Sequence, residues 1–163
     1  IIGEGCHFVD LASAIVRSNP KSVSCIGTSK TNKSALLNDN VIINLSFGNG
    51  SIANIVYTAD GAQSLQKEYI EVFGGGRSAV INDFKEVTLY KGEDKKTKKM
   101  ITQDKGQEAM LEAWMKGLRT GDPCLSYECL MANSLVTILA VESLALGVIL
   151  NVDFSILDEK KKL

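Results

Sequence analysis

The sequence predicts an α+β domain, an open and predominantly antiparallel β-sheet of about six to eight strands with helices packed on one face. Three observations predict this fold class. A helical pattern stands near the start of the chain, β-rich runs separated by glycine turns fill the middle, and two helical patterns follow them. Strands grouped in sequence between helical ends are typical of an antiparallel sheet that carries its helices on one side.

The first helix is predicted from about Gly5 to the residues before Pro20. Phe8, Leu11 and Ile15 recur at helical spacing, which indicates one buried face. Proline cannot continue a helix, so the helix is expected to end before Pro20.

A strand over residues 22–26 and a hairpin over residues 41–57 are predicted next. Residues 41–47 and 52–57 are β-rich and are joined by Gly48-Asn49-Gly50, and Asn-Gly suits the positive φ of a tight turn. Val41, Ile43, Leu45 and Phe47 alternate with more polar residues, which favours a sheet with one buried face.

Four further strands are predicted over residues 69–73, 78–82, 87–90 and 98–101. The glycine run 74–76 is not read as a phosphate-binding loop, because such a loop must follow a strand and open a helix. Here a strand follows, so we expect a turn between two strands.

Two helices are predicted after the strands. Residues 107–119 carry Met110, Leu111, Trp114 and Leu118 on one side and stop at a glycine-then-proline signal. Ser126 is expected to cap a long helix that ends at Gly147. The predicted core stripe of this long helix is Leu130, Met131, Leu135, Ile138, Leu139 and Leu144. A last strand is placed within residues 148–156, the domain takes residues 1–157, and residues 158–163 form a charged tail.

Charge and composition narrow the classes of partner. The net charge is −1, so no global field favours nucleic acid or an anionic membrane. The lysines of residues 95–99 have only Tyr90 as a nearby aromatic, whereas single-strand binding needs stacking platforms between cations. Polar residues such as Asn133 and Glu142 interrupt the longest helix, so no membrane span is expected.

The 4 cysteines include no C-x-x-C pair and are accompanied by 1 histidine. This is a poor ligand set for zinc, and free thiols in a reducing cytoplasm are expected instead. Composition thus favours a small molecule or another protein chain as the partner.

The candidate site is Glu4, His7 and Asp10 in the first helix. Their spacing places them on one side of a helix, with the imidazole between two carboxylates. A neutral histidine oriented by a carboxylate can act as a general base near neutral pH. The alternative is a helix start with a polar surface edge. Lys67 is a second candidate, which reaches a substrate from a strand edge or is simply exposed.

Four stretches resemble a known family. They are residues 1–11 (IIGEGCHFVDL), the hairpin at 40–57, residues 67–77 (KEYIEVFGGGR) and residues 103–106 (QDKG). Together they are similar to the C-terminal domain of Gfo/Idh/MocA oxidoreductases, and most similar to the members described as bi-domain oxidoreductases. The resemblance extends over nearly the whole chain.

The resemblance implies a function that needs a second domain. In the family an N-terminal Rossmann domain binds NAD or NADP, and the C-terminal domain supplies the substrate pocket and much of the subunit interface. The chain begins at Ile1, and we expect a fragment that is inactive alone and binds no nucleotide. The expected substrate is a sugar or polyol-like alcohol, and a homo-oligomer is expected through the exposed sheet face.

The resemblance also implies roles for the candidate residues. Family members carry D-x-x-x-H at the start of this domain, together with a lysine from an E-K-P motif in the missing one. His7 matches the histidine, which implies a proton donor or acceptor. Gly3 stands at the aspartate position, and Glu4 follows one residue later as the implied orienting group. Asp10 and Lys67 are taken as substrate-binding residues.

Two hypotheses therefore stand at this point. The first is the substrate-binding and oligomerisation domain of an NAD(P)-dependent dehydrogenase. The second is a non-catalytic interaction module, for which the glycine in place of the aspartate would signal lost chemistry. Whether His7 faces a solvent-open cleft or the core would discriminate between them.

Overall fold

The computed structural model describes residues 2–28 and 40–154. The predicted domain end at residue 157 and the predicted charged tail at residues 158–163 lie outside the described residues. These residues contain three helices and eight strands: α1 Ile2–Val16, β1 Pro20–Gly27, β2 Asn40–Phe47, β3 Ile52–Thr58, β4 Tyr69–Gly74, β5 Arg77–Asn82, β6 Glu86–Lys91, β7 Asp94–Lys99, α2 Gln107–Thr120, α3 Tyr127–Leu146 and β8 Leu150–Asn151. They divide into two compact units, the first formed by the described residues up to 60 and from 125 onward, and the second by residues 61–124.

The first unit is a four-stranded antiparallel sheet in the order β3-β2-β1-β8, with α1 and α3 packed on it. The predicted alternation of β2 is confirmed, since Val41, Ile43, Leu45 and Phe47 are all buried. They meet Val9 of α1 and also side chains of α3 in one apolar cluster. Burial of this face is the main source of the unit's stability.

The buried face of α3 differs from the predicted stripe. The residues of α3 that are buried are Ala132, Asn133, Val136, Thr137, Ala140, Val141 and Ser143. Leu139 and Leu144 pack at the border of the core, whereas Leu130 and Ile138 are each 51% exposed. Small and polar side chains let α3 lie close to α1 and to β1, which the larger leucines would prevent. The Ser126 cap is confirmed, because its hydroxyl accepts a hydrogen bond from the Cys129 amide at 3.1 Å.

By length and composition α3 is the one described helix that could cross a membrane. Core helices pass the same test, and Val136 and Ala140 of α3 lie fully buried in the core of the first unit.

The second unit contains a four-stranded antiparallel meander in the order β4-β5-β6-β7. The glycine run 74–76 turns between β4 and β5, as the sequence predicts, with positive φ at Gly75 and Gly76. The strand expected at residues 98–101 lies earlier, at Asp94–Lys99, because the tight turn at Gly92 brings β7 back along β6.

The turn between β5 and β6 uses two non-glycine residues with positive φ. Asp83 and Phe84 both have φ of 50°, and the Lys85 amide donates to the Asn82 carbonyl at 3.0 Å. This is the geometry of a two-residue hairpin turn that normally prefers Asn-Gly. A bulky residue such as Phe84 in this conformation is strained, so the surroundings of the turn must hold it.

The α+β class and the antiparallel pairing are confirmed. The eight strands, however, form two sheets, where the sequence predicted one open sheet. After β3 the chain leaves the first sheet through turns. In one of these turns the Leu65 amide donates a hydrogen bond to the Ala62 carbonyl at 3.0 Å. The strand that follows, β4, then pairs with β5 alone. Helix α2 forms at the predicted place, but none of its residues is buried.

Candidate functional site

Helix α1 has a core face and an outer face. Gly5, Val9 and Ser13 form the core face. The face predicted from Phe8, Leu11 and Ile15 is at most half-buried, and Ile15 is 38% exposed. Glu4, His7 and Asp10 all lie on the exposed surface of the helix. The spacing of three residues keeps these side chains on neighbouring positions, as the sequence predicts.

Asp10 is held by the neighbouring helix. The Asn133 amide of α3 donates a hydrogen bond to the Asp10 carboxylate at 2.6 Å. Asn133 is only 8% exposed, so its amide is removed from water and needs a partner inside the protein. The bond therefore ties α1 to α3 and fixes the direction of the Asp10 side chain.

His7 and Glu4 are free of such ties. Within residues 2–28 and 40–154, neither side chain has a hydrogen-bond or ion-pair partner, so the structure does not show Glu4 bonded to His7. Phe8, the residue after His7, packs its ring at 6.3 Å from the ring of Tyr57 on β3. The backbone at His7 is thus anchored, while its imidazole faces solvent and is open to a ligand.

Lys67 belongs to the second unit, on the exposed segment before β4. Its neighbour Glu68 forms an ion pair with Lys105 at 2.5 Å, in which the Glu68 side chain is 13% exposed. Lys67 itself contacts no charged partner among the described residues. Glu4, His7 and Asp10 therefore form one group on α1, in the first unit. Lys67 lies in the second unit.

The polar cluster beside Lys67 supports the strained β5–β6 turn. The Gln103 side-chain amide donates to the Asp83 carboxylate at 3.0 Å, and Lys85 contacts the other Asp83 oxygen at 2.9 Å. The hydrogen bond from Lys85 lowers the pKa of Asp83 below its ordinary value. The Lys105 ammonium lies 5.9 Å from the centre of the Phe84 ring. These contacts offset the strain of the turn.

The described residues do not fit a dinucleotide or a metal. Gly74, Gly75 and Gly76 connect two antiparallel strands, whereas a dinucleotide needs a glycine turn that opens a helix after a parallel strand. No group of three or more His, Cys, Asp or Glu side chains in residues 2–28 and 40–154 could hold a metal ion. The exposed side of α1 offers an imidazole and two carboxyl groups, which can exchange protons and form hydrogen bonds.

Sequence reasoning missed Asn133 as part of this site. A signal for it exists, because Asn133 shares a helix face with Val136 and Ala140 at spacings of three and seven residues. An amide at a buried position of an apolar helix requires a polar partner. The sequence does not name that partner, since Asp10 is 123 residues away in the chain.

Three solved structures illustrate what the chain is similar to. An NAD binding oxidoreductase from Klebsiella pneumoniae shares 15% identity with a TM-score of 0.78, covering 91% of this chain and 49% of that one. An inositol dehydrogenase homolog from Azotobacter vinelandii, complexed with NADH and myo-inositol, shares 18% identity with a TM-score of 0.65. The match covers 92% of this chain and 49% of that one. A levoglucosan dehydrogenase, in complex with NADH and levoglucosan, shares 18% identity with a TM-score of 0.71. The match covers 91% of this chain and 49% of that one.

These similarities show a common fold. The chain spans about half the length of the solved structures that it matches, between 45% and 49% of each. No protein-family model matches the chain, and no curated protein is significantly similar to it in sequence. The common fold is that of about one half of several oxidoreductases.

Proposed function

We propose that this chain is the C-terminal, substrate-binding and oligomerising half of an NAD(P)-dependent Gfo/Idh/MocA-type oxidoreductase that acts on a sugar or polyol-like alcohol. The proposal is supported by the fold shared with sugar and polyol dehydrogenases over about half of their length. It rests most directly on His7, which faces solvent from a helix anchored in the core. The protein acts in the cytoplasm, where its free thiols remain reduced.

The residues of α1 have distinct roles in this proposal. His7 gives or takes a proton at the hydroxyl of the substrate, since an imidazole changes its charge near neutral pH. Asp10, oriented by Asn133, accepts hydrogen bonds from neighbouring hydroxyl groups of the substrate. Glu4 lies one turn from His7 on the same side of α1 and is proposed as the group that orients the imidazole. Lys67 is proposed as a further substrate-binding residue.

The nucleotide belongs to the other half of the protein in this proposal, because the described residues offer no dinucleotide fingerprint. NAD or NADP bound there supplies the redox chemistry. The chain alone is expected to bind neither nucleotide, and calorimetric titration of the 163-residue chain tests this directly.

Association is proposed through the outer face of the first sheet. Ile26, Ile42 and Val56 are direct cross-strand neighbours on β1, β2 and β3 and form one apolar row on that face. Ile26 is 60% exposed and Val56 is 66% exposed. An apolar row bordered by polar side chains suits a homo-oligomer interface.

The deciding experiment uses the full-length protein that contains this chain, assayed with NAD⁺ and NADP⁺ on inositol, aldoses and anhydrosugars. His7→Ala is expected to lower kcat by about 10²–10⁴-fold with nucleotide affinity unchanged, the usual range for a general acid or base. Glu4→Gln should cost less. Ala14, exposed on the same helix, provides the control variant Ala14→Ser. An unaltered kcat in a folded His7→Ala protein would refute the role.

A second candidate function is a non-catalytic interaction module. One observation favours it, since Gly3 occupies the position of the family aspartate and Glu4 does not bond His7 in the described residues. The two functions separate in the same assay. A module without chemistry shows no reduction of either nucleotide with any alcohol, yet it retains association that Val56→Asp disrupts.

A further inference from the structure

The charged side chains of the first unit are mostly acidic. Among its described residues the basic side chains are Arg17 and Lys21. The acidic side chains are Glu4, Asp10, Asp60, Glu128, Glu142 and Asp153. Helix α3, which packs on α1, contributes two of these carboxyl groups and no Lys or Arg. Helix α1 therefore lies in negatively charged surroundings.

Part of this negative charge lies next to His7. Glu4 and Asp10 are three residues before and after it, and all three side chains are exposed on the same side of α1. Neither carboxylate forms an ion pair within residues 2–28 and 40–154. Glu4 stands in the first turn, where it offsets the positive end of the helix dipole. Asp10 stands in the middle of the helix, so its charge has no such compensation.

The described cations of the first unit are displaced from His7. Arg17 follows the last residue of α1, ten residues after His7, which corresponds to about 15 Å along a helix. Screening at physiological ionic strength acts over about 8 Å, and Lys21 stands farther along the chain, on β1. Lys67, the cation among the proposed binding residues, belongs to the second unit. On α1 itself, the charge that a substrate meets beside His7 is negative.

The hydrogen-bonding groups beside His7 are mainly acceptors. One oxygen of Asp10 accepts the bond from Asn133 at 2.6 Å, and the other has no partner in the part of the chain that the structure describes. An ionised carboxylate, as in Glu4 and Asp10, only accepts hydrogen bonds, and a neutral imidazole adds a single donor. A ligand must therefore bring O–H or N–H donors. Hydroxyl and ammonium groups have such donors, whereas carboxylate and fully ionised phosphate groups do not.

We propose that the α1 site selects its substrate by charge. It accepts neutral polyhydroxy compounds and amino sugars, and it rejects sugars that carry a carboxylate or phosphate group. Hydroxyl groups next to the reacting carbon donate to Asp10, and an ammonium group there is attracted by both carboxylates. The inference rests on the proposed function, since it assumes that His7 acts on a hydroxyl of the substrate. It adds to that function the charge of the substrate, which a fold does not specify.

The size of this discrimination follows from Coulomb's law. Two like unit charges about 6 Å apart repel by an amount that lowers an affinity about 10-fold at an effective dielectric constant of about 40. A value between those of bulk water and of a protein surface suits exposed groups such as Glu4 and Asp10. An anionic sugar is therefore expected to react at least about 10-fold less efficiently than the neutral sugar of the same shape.

The first test measures kcat/KM of the full-length protein that contains this chain. The neutral aldose or polyol with the highest kcat/KM is compared with its own carboxylate, monophosphate and amino derivatives at one pH and ionic strength. Both anionic derivatives should be at least about 10-fold poorer than the neutral compound, and the amino derivative at least as good. An anionic derivative that reacts as well as the neutral compound, or an amino derivative as poor as the anions, overturns the inference alone. Turnover of none of these compounds contradicts the proposed function, and the inference with it.

The second test assigns the discrimination to α1. Asp10→Asn removes one charge beside His7 and keeps an oxygen that can accept the Asn133 bond, so the ratio of kcat/KM for anionic over neutral substrate should rise about 10-fold. Glu112→Gln is the matched control, since it removes one exposed helical carboxylate of the second unit and should leave the ratio unchanged. A loss of packing alone lowers kcat/KM for both substrates and does not move the ratio. A ratio that Asp10→Asn leaves unaltered, or that Glu112→Gln raises as much, overturns the inference.

Discussion

Asn133→Ala is expected to lower the free energy of unfolding of the first unit by about 1–2 kcal/mol. A hydrogen bond to a charged group contributes about 1.5–3 kcal/mol, and the Asn133 amide donates to the Asp10 carboxylate at 2.6 Å. Two features place the loss near the lower end of this range. Asp10 is exposed, so water solvates its carboxylate in the variant, and alanine leaves no unpaired amide in the core.

A double-mutant cycle measures this bond without the other effects of each substitution. Asp10→Ala, Asn133→Ala and the double variant should give a coupling free energy of about 1 kcal/mol in urea unfolding, which corresponds to a Tm difference of about 4–8 °C for a unit of this size. Ser134→Ala is the matched control, since that hydroxyl bonds the Leu130 carbonyl of its own helix at 3.1 Å. A coupling energy of zero, with Asn133→Ala no worse than the control, would refute the reasoning.

Two further predictions concern titrating groups. Burial raises the pKa of the Cys25 thiol to about 11. At pH 8 a thiol reagent should therefore modify the exposed Cys124 long before it modifies Cys25. Equal labelling rates of the two thiols in the folded chain would contradict this. The pKa of Asp83 is lowered by the hydrogen bond from Lys85, so Asp83 stabilises the fold above its unfolded pKa, and this contribution is lost as the pH falls through the folded value. The Tm difference between wild type and Asp83→Asn should therefore shrink toward acid pH; a difference that stays constant from pH 7 to about pH 3 would show that the interaction does not stabilise the fold.

The fold could be predicted where one physical constraint dominates. In β2 every second side chain is buried between the sheet and its helices, and the alternation of Val41, Ile43 and Leu45 reports that constraint directly. The turn at 74–76 could be placed because positive φ excludes most other residues there. Both features are local, so the sequence around them contains the information.

The buried face of α3 could not be predicted from apolarity. The helix is apolar nearly all round, and hydrophobic spacing alone favours its leucines. The core face of α3 is the one that can approach α1 and β1 closely, so it carries the small side chains Ala132, Ala140 and Ser143. Ser143 also accepts a hydrogen bond from the Cys25 amide at 3.0 Å, at the edge where the two-residue β8 leaves β1 unpaired. Such choices depend on contacts between distant parts of the chain.

For the candidate site, as for the fold, the sequence predicted the local arrangement of the residues but not their long-range contacts. Helical spacing places Glu4, His7 and Asp10 on one exposed side, and the structure places them there. Their hydrogen bonds depend on what approaches them in three dimensions. Asp10 meets Asn133 from another helix, and within the described residues His7 meets nothing. Spacing along one helix thus identifies the group of residues but not the partner of each.

Helix α1 couples the fold of the first unit to its candidate chemistry. Val9 is fully buried in the core cluster, and Phe8 packs against Tyr57, so the core determines how α1 is rotated. The bond between Asp10 and Asn133 holds the same rotation from the side of α3. An inserted residue before Val9 would turn everything upstream by about 100° and move His7 off the exposed side. The packing of a few apolar side chains therefore fixes where the proton-transfer group of the proposed function points, although none of them reaches the substrate.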